Sequence, residues 1–116
     1  MNQPLLPPQL MESVLPEQII SILRGSVQLH MTNIIRLEAV RNYTRFVLND
    51  GRQLLTSRNI SFYEPLLAES FVRVHKSHLL NRRYIIEKSK THIRMSDGAE
   101  VEVSRRKRRI TKRVIK

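Results

Sequence analysis

Ile35-Arg-Leu-Glu-Ala39 alternates apolar with charged side chains, and after a break at Arg41-Asn-Tyr-Thr44 the apolar run resumes over Arg45-Phe-Val-Leu48. A period of two puts every second side chain on one face, which is the pattern of a half-buried strand rather than a helix. Asn49-Asp50-Gly51 follows at once. These residue types tolerate the positive φ of tight hairpin turns, so Gln53–Thr56 is expected to return as the paired strand.

The same reading extends in both directions. Upstream, Ile19, Ile20 and Ile22 form a short strand ended by Gly25, and Val27 and Leu29 mark another. Downstream, Ser57 is expected to cap one short helix over Arg58–Leu67, with Phe62 and Leu66 at i, i+4 covering the sheet and Pro65 limiting its length. Phe71–His75 is extended, and Ser77–Asn81 reads as a tight turn or single helical turn. Tyr84–Glu87 and His92–Met95 read as strands, Asp97–Gly98 as a second hairpin turn, and Glu100–Val103 as a strand with Val101 and Val103 on one face. Arg105–Ile115 is expected to be helical, with Ile110 and Val114 meeting the domain and the basic residues facing out. The fold class is therefore mainly β and antiparallel, with a short central helix and a basic C-terminal helix. Without a βαβ rhythm, Rossmann-type and receiver-type folds are disfavoured.

At 116 residues, 41% of them hydrophobic, the chain suits one domain with one core. Four of the five prolines lie in residues 1–17, which read as a linker or loosely docked arm preceding a domain over 18–116. Cysteine is absent, excluding disulfides and Cys-ligated zinc. No window approaches the roughly 18 apolar residues of a membrane span, and the start lacks the pattern of a secretory signal. A cytoplasmic protein without membrane contact is the expectation. The net charge of +11 is concentrated at one end: residues 105–116 hold eight lysines and arginines and no acid, leaving residues 1–104 at +3. Such a stretch points to a polyanion, with nucleic acid ahead of anionic lipid.

Catalytic chemistry finds little support. The three glycines are isolated, so there is neither a P-loop nor a dinucleotide fingerprint. His75 and His78 are spaced i, i+3, but His75 ends an extended run and no carboxylate lies nearby in sequence to complete a metal site. A structural hydrogen bond that fixes the following turn is the better reading of His75. Carboxylates show no acid–base pairing. The expectation is a protein that is not an enzyme and uses no cofactor or metal. What remains is a set of polar and basic residues at strand ends, among them Arg41, Asn42, Thr44, Lys76, Arg105 and Arg106. Arginine and lysine can pair with guanine edges and asparagine with adenine, and all can touch phosphate.

Three segments resemble one family. Ile35-Arg-Leu-Glu-Ala-Val-Arg-Asn-Tyr-Thr44, Phe71-Val-Arg-Val-His-Lys-Ser-His-Leu-Leu-Asn81 and Ser96-Asp-Gly-Ala-Glu-Val-Glu-Val-Ser-Arg105 are similar, in order and spacing, to the conserved stretches of LytTR domains, over about Ile19 to Ile115. The resemblance implies an elongated β-β-β fold of short antiparallel strands that binds double-stranded DNA as a bacterial transcription regulator. It further implies loops in successive major grooves, bending of the duplex, and pairing of two copies on repeated half-sites. Carried over by motif, the contact loops are Arg41–Thr44, Lys76, and Arg105 with Arg106. Phe71 and His75 would be framework, with Ser77 and Asn81 organising the turn that presents Lys76. Val40–Arg41 departs from the small residue or glycine common in relatives, and the chain has no room for a receiver domain. It is expected to be a stand-alone regulator or a DNA-binding piece controlled from elsewhere. The rival readings are an RNA- or ribosome-associated basic β module, disfavoured by an aromatic content of 5%, and a protein-interaction module held near anionic surfaces by its tail.

Overall fold

The computed structural model describes residues 18–114; the expected Pro-rich arm over 1–17 and the end of the expected C-terminal helix at Ile115 lie outside the described residues. The alternating stretch over Ile35–Ala39 lies at the centre of the molecule. β3 (Ile34–Val40) pairs on one side with β4 (Tyr43–Leu48) and on the other with β7 (His78–Asn81). β5 (Gln53–Thr56) and β6 (Phe71–His75) close the edges, giving a five-stranded antiparallel sheet in the order β5-β4-β3-β7-β6. A hairpin of β1 (Ile19–Ile22) and β2 (Val27–His30) precedes it, and a three-stranded sheet of β8 (Ile85–Lys88), β9 (His92–Met95) and β10 (Glu100–Glu102) follows it. Both hairpin signals hold, with Gly51 at φ +92° and Gly98 at φ +89°.

Two apolar cores lie on opposite faces of the central sheet. Leu37, Phe46, Phe71 and Leu79 pack with Ile20, Ile22 and Leu29 of the first hairpin. Val72, Val74 and Leu80 pack instead with Ile93, Met95, Val101 and Val103 of the last sheet. Neighbours in sequence, such as Phe71 and Val72 or Leu79 and Leu80, therefore feed different cores. A register shift in β3 between Ile34 and Arg36 lets Ile34 and Leu37, three residues apart, share the first core while Ile35 joins the second. The result is three β layers with a central sheet covered on both sides.

That double covering explains one departure from the sequence reading. His78-Leu-Leu-Asn81 is not a turn but β7, hydrogen-bonded to strands on both sides. A strand buried on both faces loses its alternation, so its sequence does not announce it.

The central helix also differs. Ser57 does not cap it: Asn59 does, its side chain accepting from the Phe62 amide at 3.0 Å. The α-helical part, α1 (Ile60–Tyr63), passes into a 3-10 turn at Pro65–Leu67, where proline supplies no amide to continue the helix. The Arg58 carbonyl is taken by the Thr44 hydroxyl at 2.7 Å, which holds the chain extended before the cap. The later start rotates the buried face. Ile60, Tyr63 and Leu67 enter the first core, while Phe62 and Leu66 remain exposed. At the other end, a 3-10 turn over Arg105–Lys107 leads into α2 (Arg108–Val114). Ile110 is half exposed and Thr111 is the buried residue of that helix, against expectation; the side chain of Val114 lies outside the described residues.

Candidate nucleic-acid interface

The antiparallel order brings three turns to one end of the central sheet. β3 ends, and β7 begins, at that end: Glu38 is registered with His78, and the Ala39 amide donates to the Ser77 carbonyl at 2.9 Å. The β3–β4 turn (Arg41, Asn42) and the β6–β7 turn (Lys76, Ser77) are thus side by side. Beyond the edge strand β6, the Ser104 amide donates to the Val74 carbonyl at 2.8 Å, which places Arg105 and Arg106 next in line. With strands about 4.8 Å apart, the first two turns lie about 10 Å from each other and the third about 17 Å from the first.

Arg41, Asn42, Lys76, Arg105 and Arg106 are all exposed, and none of the four cations has an ion-pair partner among the described residues. Nearby charges are instead neutralised in place. Arg36 contacts Asp97 at 3.0 Å and Glu38 at 3.5 Å, and Arg45 contacts Glu38 at 3.0 Å. The positive field at this end therefore comes from the turns and the C-terminal stretch.

Each turn has its own support. Arg41 adopts φ +58°, the left-handed region, where a Cβ is crowded by the backbone. Thr44 does not join the exposed set. It has no accessible surface, and its hydroxyl is committed to the Arg58 carbonyl; Tyr63 donates to Thr56 Oγ1 at 2.8 Å, and Thr56 to the Thr44 carbonyl at 3.3 Å. Thr44 thus lies beneath the first turn and ties β4 to the segment that leads into the helix cap. In the second turn His75 Nδ1 accepts from the Ser77 amide at 3.1 Å, the structural bond expected of it.

Sequence reasoning missed Arg73, which does more for that turn. Its Nε donates to the His75 carbonyl at 2.9 Å and a terminal nitrogen to the Lys76 carbonyl at 2.5 Å, while the other contacts Glu64 at 2.6 Å. A planar guanidinium can hold three acceptors in fixed directions at once, so Lys76 is presented from a clamped backbone. The signal was present in Phe-x-Arg-x-His, but the partner, Glu64, is nine residues away and on another element. Asn81, expected to organise the Lys76 turn, sits at the far end of β7. It donates to the Ile34 carbonyl at 2.9 Å and accepts from the Arg83 amide at 3.0 Å, joining the central sheet to the turn leading into β8.

His78 lies 5.4 Å, ring to ring, from His75. Burial pushes its pKa below the usual histidine value; Glu38 opposes the shift, while His75 and Arg36 reinforce it.

The LytTr DNA-binding domain family model matches residues 24–116. Among solved structures, a LytTr DNA-binding domain from Bacillus cereus superposes with a TM-score of 0.71 at 20% identity, covering 84% of this chain and 96% of that one. No curated protein sequence matches the chain. The family match spans all three turns and both later sheets, and the solved domain shares the layered β architecture that aligns those turns. This chain belongs to the LytTR family of DNA-binding domains.

Proposed function

We propose that the chain is a sequence-specific transcription regulator of bacterial type that reads double-stranded DNA in the cytoplasm. Arg41 and Asn42, Lys76, and Arg105 with Arg106 enter the grooves, and the basic C-terminal residues hold the phosphates. The observation that carries this reading is the alignment of three exposed basic turns along one end of a rigid sheet. Their reach of about 17 Å exceeds the roughly 12 Å width of one major groove, so the row extends past a single groove, which suits a bent duplex. Two copies on repeated half-sites would double the contact. The exposed aromatic side chains near this end are Tyr43 and Phe62 among the described residues, and the Phe62 ring is covered by the Arg58 guanidinium at 4.3 Å, which leaves little to stack unpaired RNA bases on.

Amide chemical-shift mapping with a cognate duplex tests the reading. Perturbations should concentrate at Arg41–Asn42, Lys76–Ser77 and Ser104–Arg106. Shifts confined to residues 107–116 would reduce the protein to a basic tail on an uninvolved domain.

A further inference from the structure

A second basic feature lies apart from the three turns. The β8–β9 turn and α2 enclose a cleft of about 680 Å³ whose walls carry Lys90, Arg108, Arg109 and Lys112 and whose apolar wall includes Val103. No carboxylate of the described residues lines it, and Glu102 is exposed while its neighbour Val103 is buried. The walls are fixed. Ser89 Oγ accepts from the His92 amide at 3.1 Å, the Val103 amide donates to the Thr91 carbonyl at 2.8 Å, and α2 packs on β6.

Two lining groups lack partners. Thr111 is 6% exposed and its Oγ1 has no hydrogen-bond partner among the described residues; Arg108 Nε is buried and equally unpartnered among them. Residues 108 and 111 are i and i+3 on one helix face, and both residues line the cleft. A guanidinium N–H and a hydroxyl left unpaired are costly, and together they ask for an acceptor with several oxygens and negative charge. Phosphate meets both demands, and arginine is well matched to it in geometry.

We infer that this cleft binds a phosphoryl group, with Arg108 Nε and Thr111 Oγ1 as inner donors and Lys90, Arg109 and Lys112 supplying charge. Its volume, within the usual range of about 300–1,000 Å³ for ligand sites, admits a phosphate ester rather than the bare ion alone. The ester is either a DNA backbone phosphate flanking the third turn or a free phosphorylated compound. In its DNA form the inference rests on the regulator reading; the site itself does not.

The test is an amide-shift titration of the full chain with inorganic phosphate at constant pH and ionic strength, using chloride as control. Saturable shifts are expected at Ser89, Lys90, Arg108 and Thr111. Thr111→Val keeps the shape and removes one donor, so phosphate should bind roughly tenfold more weakly. Because the lost hydroxyl had no partner, the variant should melt at or above the wild-type temperature. Lys90→Ala, at an exposed position, should also weaken binding without unfolding. Cognate duplex added to the phosphate complex then separates the sources. Displacement of phosphate identifies a backbone phosphate, and simultaneous binding identifies a free ligand. Shifts reproduced by chloride, or wild-type phosphate affinity in Thr111→Val, would overturn the inference whether or not the duplex binds.

Discussion

Thr44→Val separates a supporting role from a contacting one. The side chain has no accessible surface, and valine matches its shape, so packing is preserved. What changes is the 2.7 Å hydrogen bond to the Arg58 carbonyl. A neutral hydrogen bond contributes about 1 kcal/mol net, and the carbonyl left facing valine loses its acceptor role at a further cost of about 1–3 kcal/mol. The apolar methyl recovers part of this, for a loss of about 2 kcal/mol. For a domain of this size that lowers Tm by roughly 10 °C. Thermal or urea unfolding followed by circular dichroism measures it, and DNA affinity is measured well below the variant's Tm. The expected result is clear destabilisation with cognate affinity within about twofold of wild type, since valine keeps the first turn in place. Unchanged stability with selective loss of DNA binding would refute the reasoning and return the Thr44 hydroxyl to the DNA surface. Thr111→Val makes the same chemical change where no hydrogen bond exists, so the two variants should differ in the sign or size of their Tm shifts.

Other substitutions address the remaining turns. Lys76→Ala should cost about 1–3 kcal/mol on cognate DNA and less on scrambled DNA, as loss of a base-edge contact does; equal losses would make Lys76 a phosphate contact. Arg73→Lys keeps the charge beside Glu64 but cannot fork to the His75 and Lys76 carbonyls, so it should lower stability by about 1 kcal/mol and cognate affinity with it, and neutrality in both assays would show that the clamp is dispensable. Arg41→Gly relieves a left-handed residue worth about 1–2 kcal/mol, offset by about 0.5–1 kcal/mol of glycine entropy, so it should melt no lower than wild type while binding DNA more weakly; a lowered Tm would contradict the strain. His78, its pKa lowered mainly by burial, is protonated in the unfolded chain before the folded one. Its contribution to stability is therefore whole above about pH 6.5 and falls as pH drops below that value towards the folded pKa, and His78→Gln should flatten this slope in urea midpoints measured across pH 5–8.

β9 and β10, with one buried face each, were legible because alternation survives in them, and β3 was legible because its charged residues, Arg36 and Glu38, still alternate with Ile35, Leu37 and Ala39 although the sheet is covered on both sides. β7 was not, because burial on both faces erases the period that marks a strand. The helix cap was misplaced by two residues for a similar reason. Ser57 and Asn59 are both good caps locally, and the Asn59 cap is the one that leaves the Arg58 carbonyl outside the helix for the Thr44 hydroxyl, fourteen residues earlier. The exposed members of the candidate interface, Arg41, Asn42, Lys76, Arg105 and Arg106, could be named from residue type and strand ends. Their alignment could not, since it depends on β7 returning beside β3 and on the Ser104 amide reaching β6. Arg73 and Thr44 exchange importance for the same reason: their partners, Glu64 and the Arg58 carbonyl, are found only by the tertiary fold.

The central claim is that this domain distinguishes one DNA sequence from others. In vitro selection from random duplex DNA at near-physiological salt, with RNA retention counted in parallel, tests it most directly. Sequence-specific reading should enrich one motif, arranged as spaced repeats, with RNA bound no better than scrambled duplex. Salt-sensitive binding with no enriched motif would contradict it and leave a general polyanion binder.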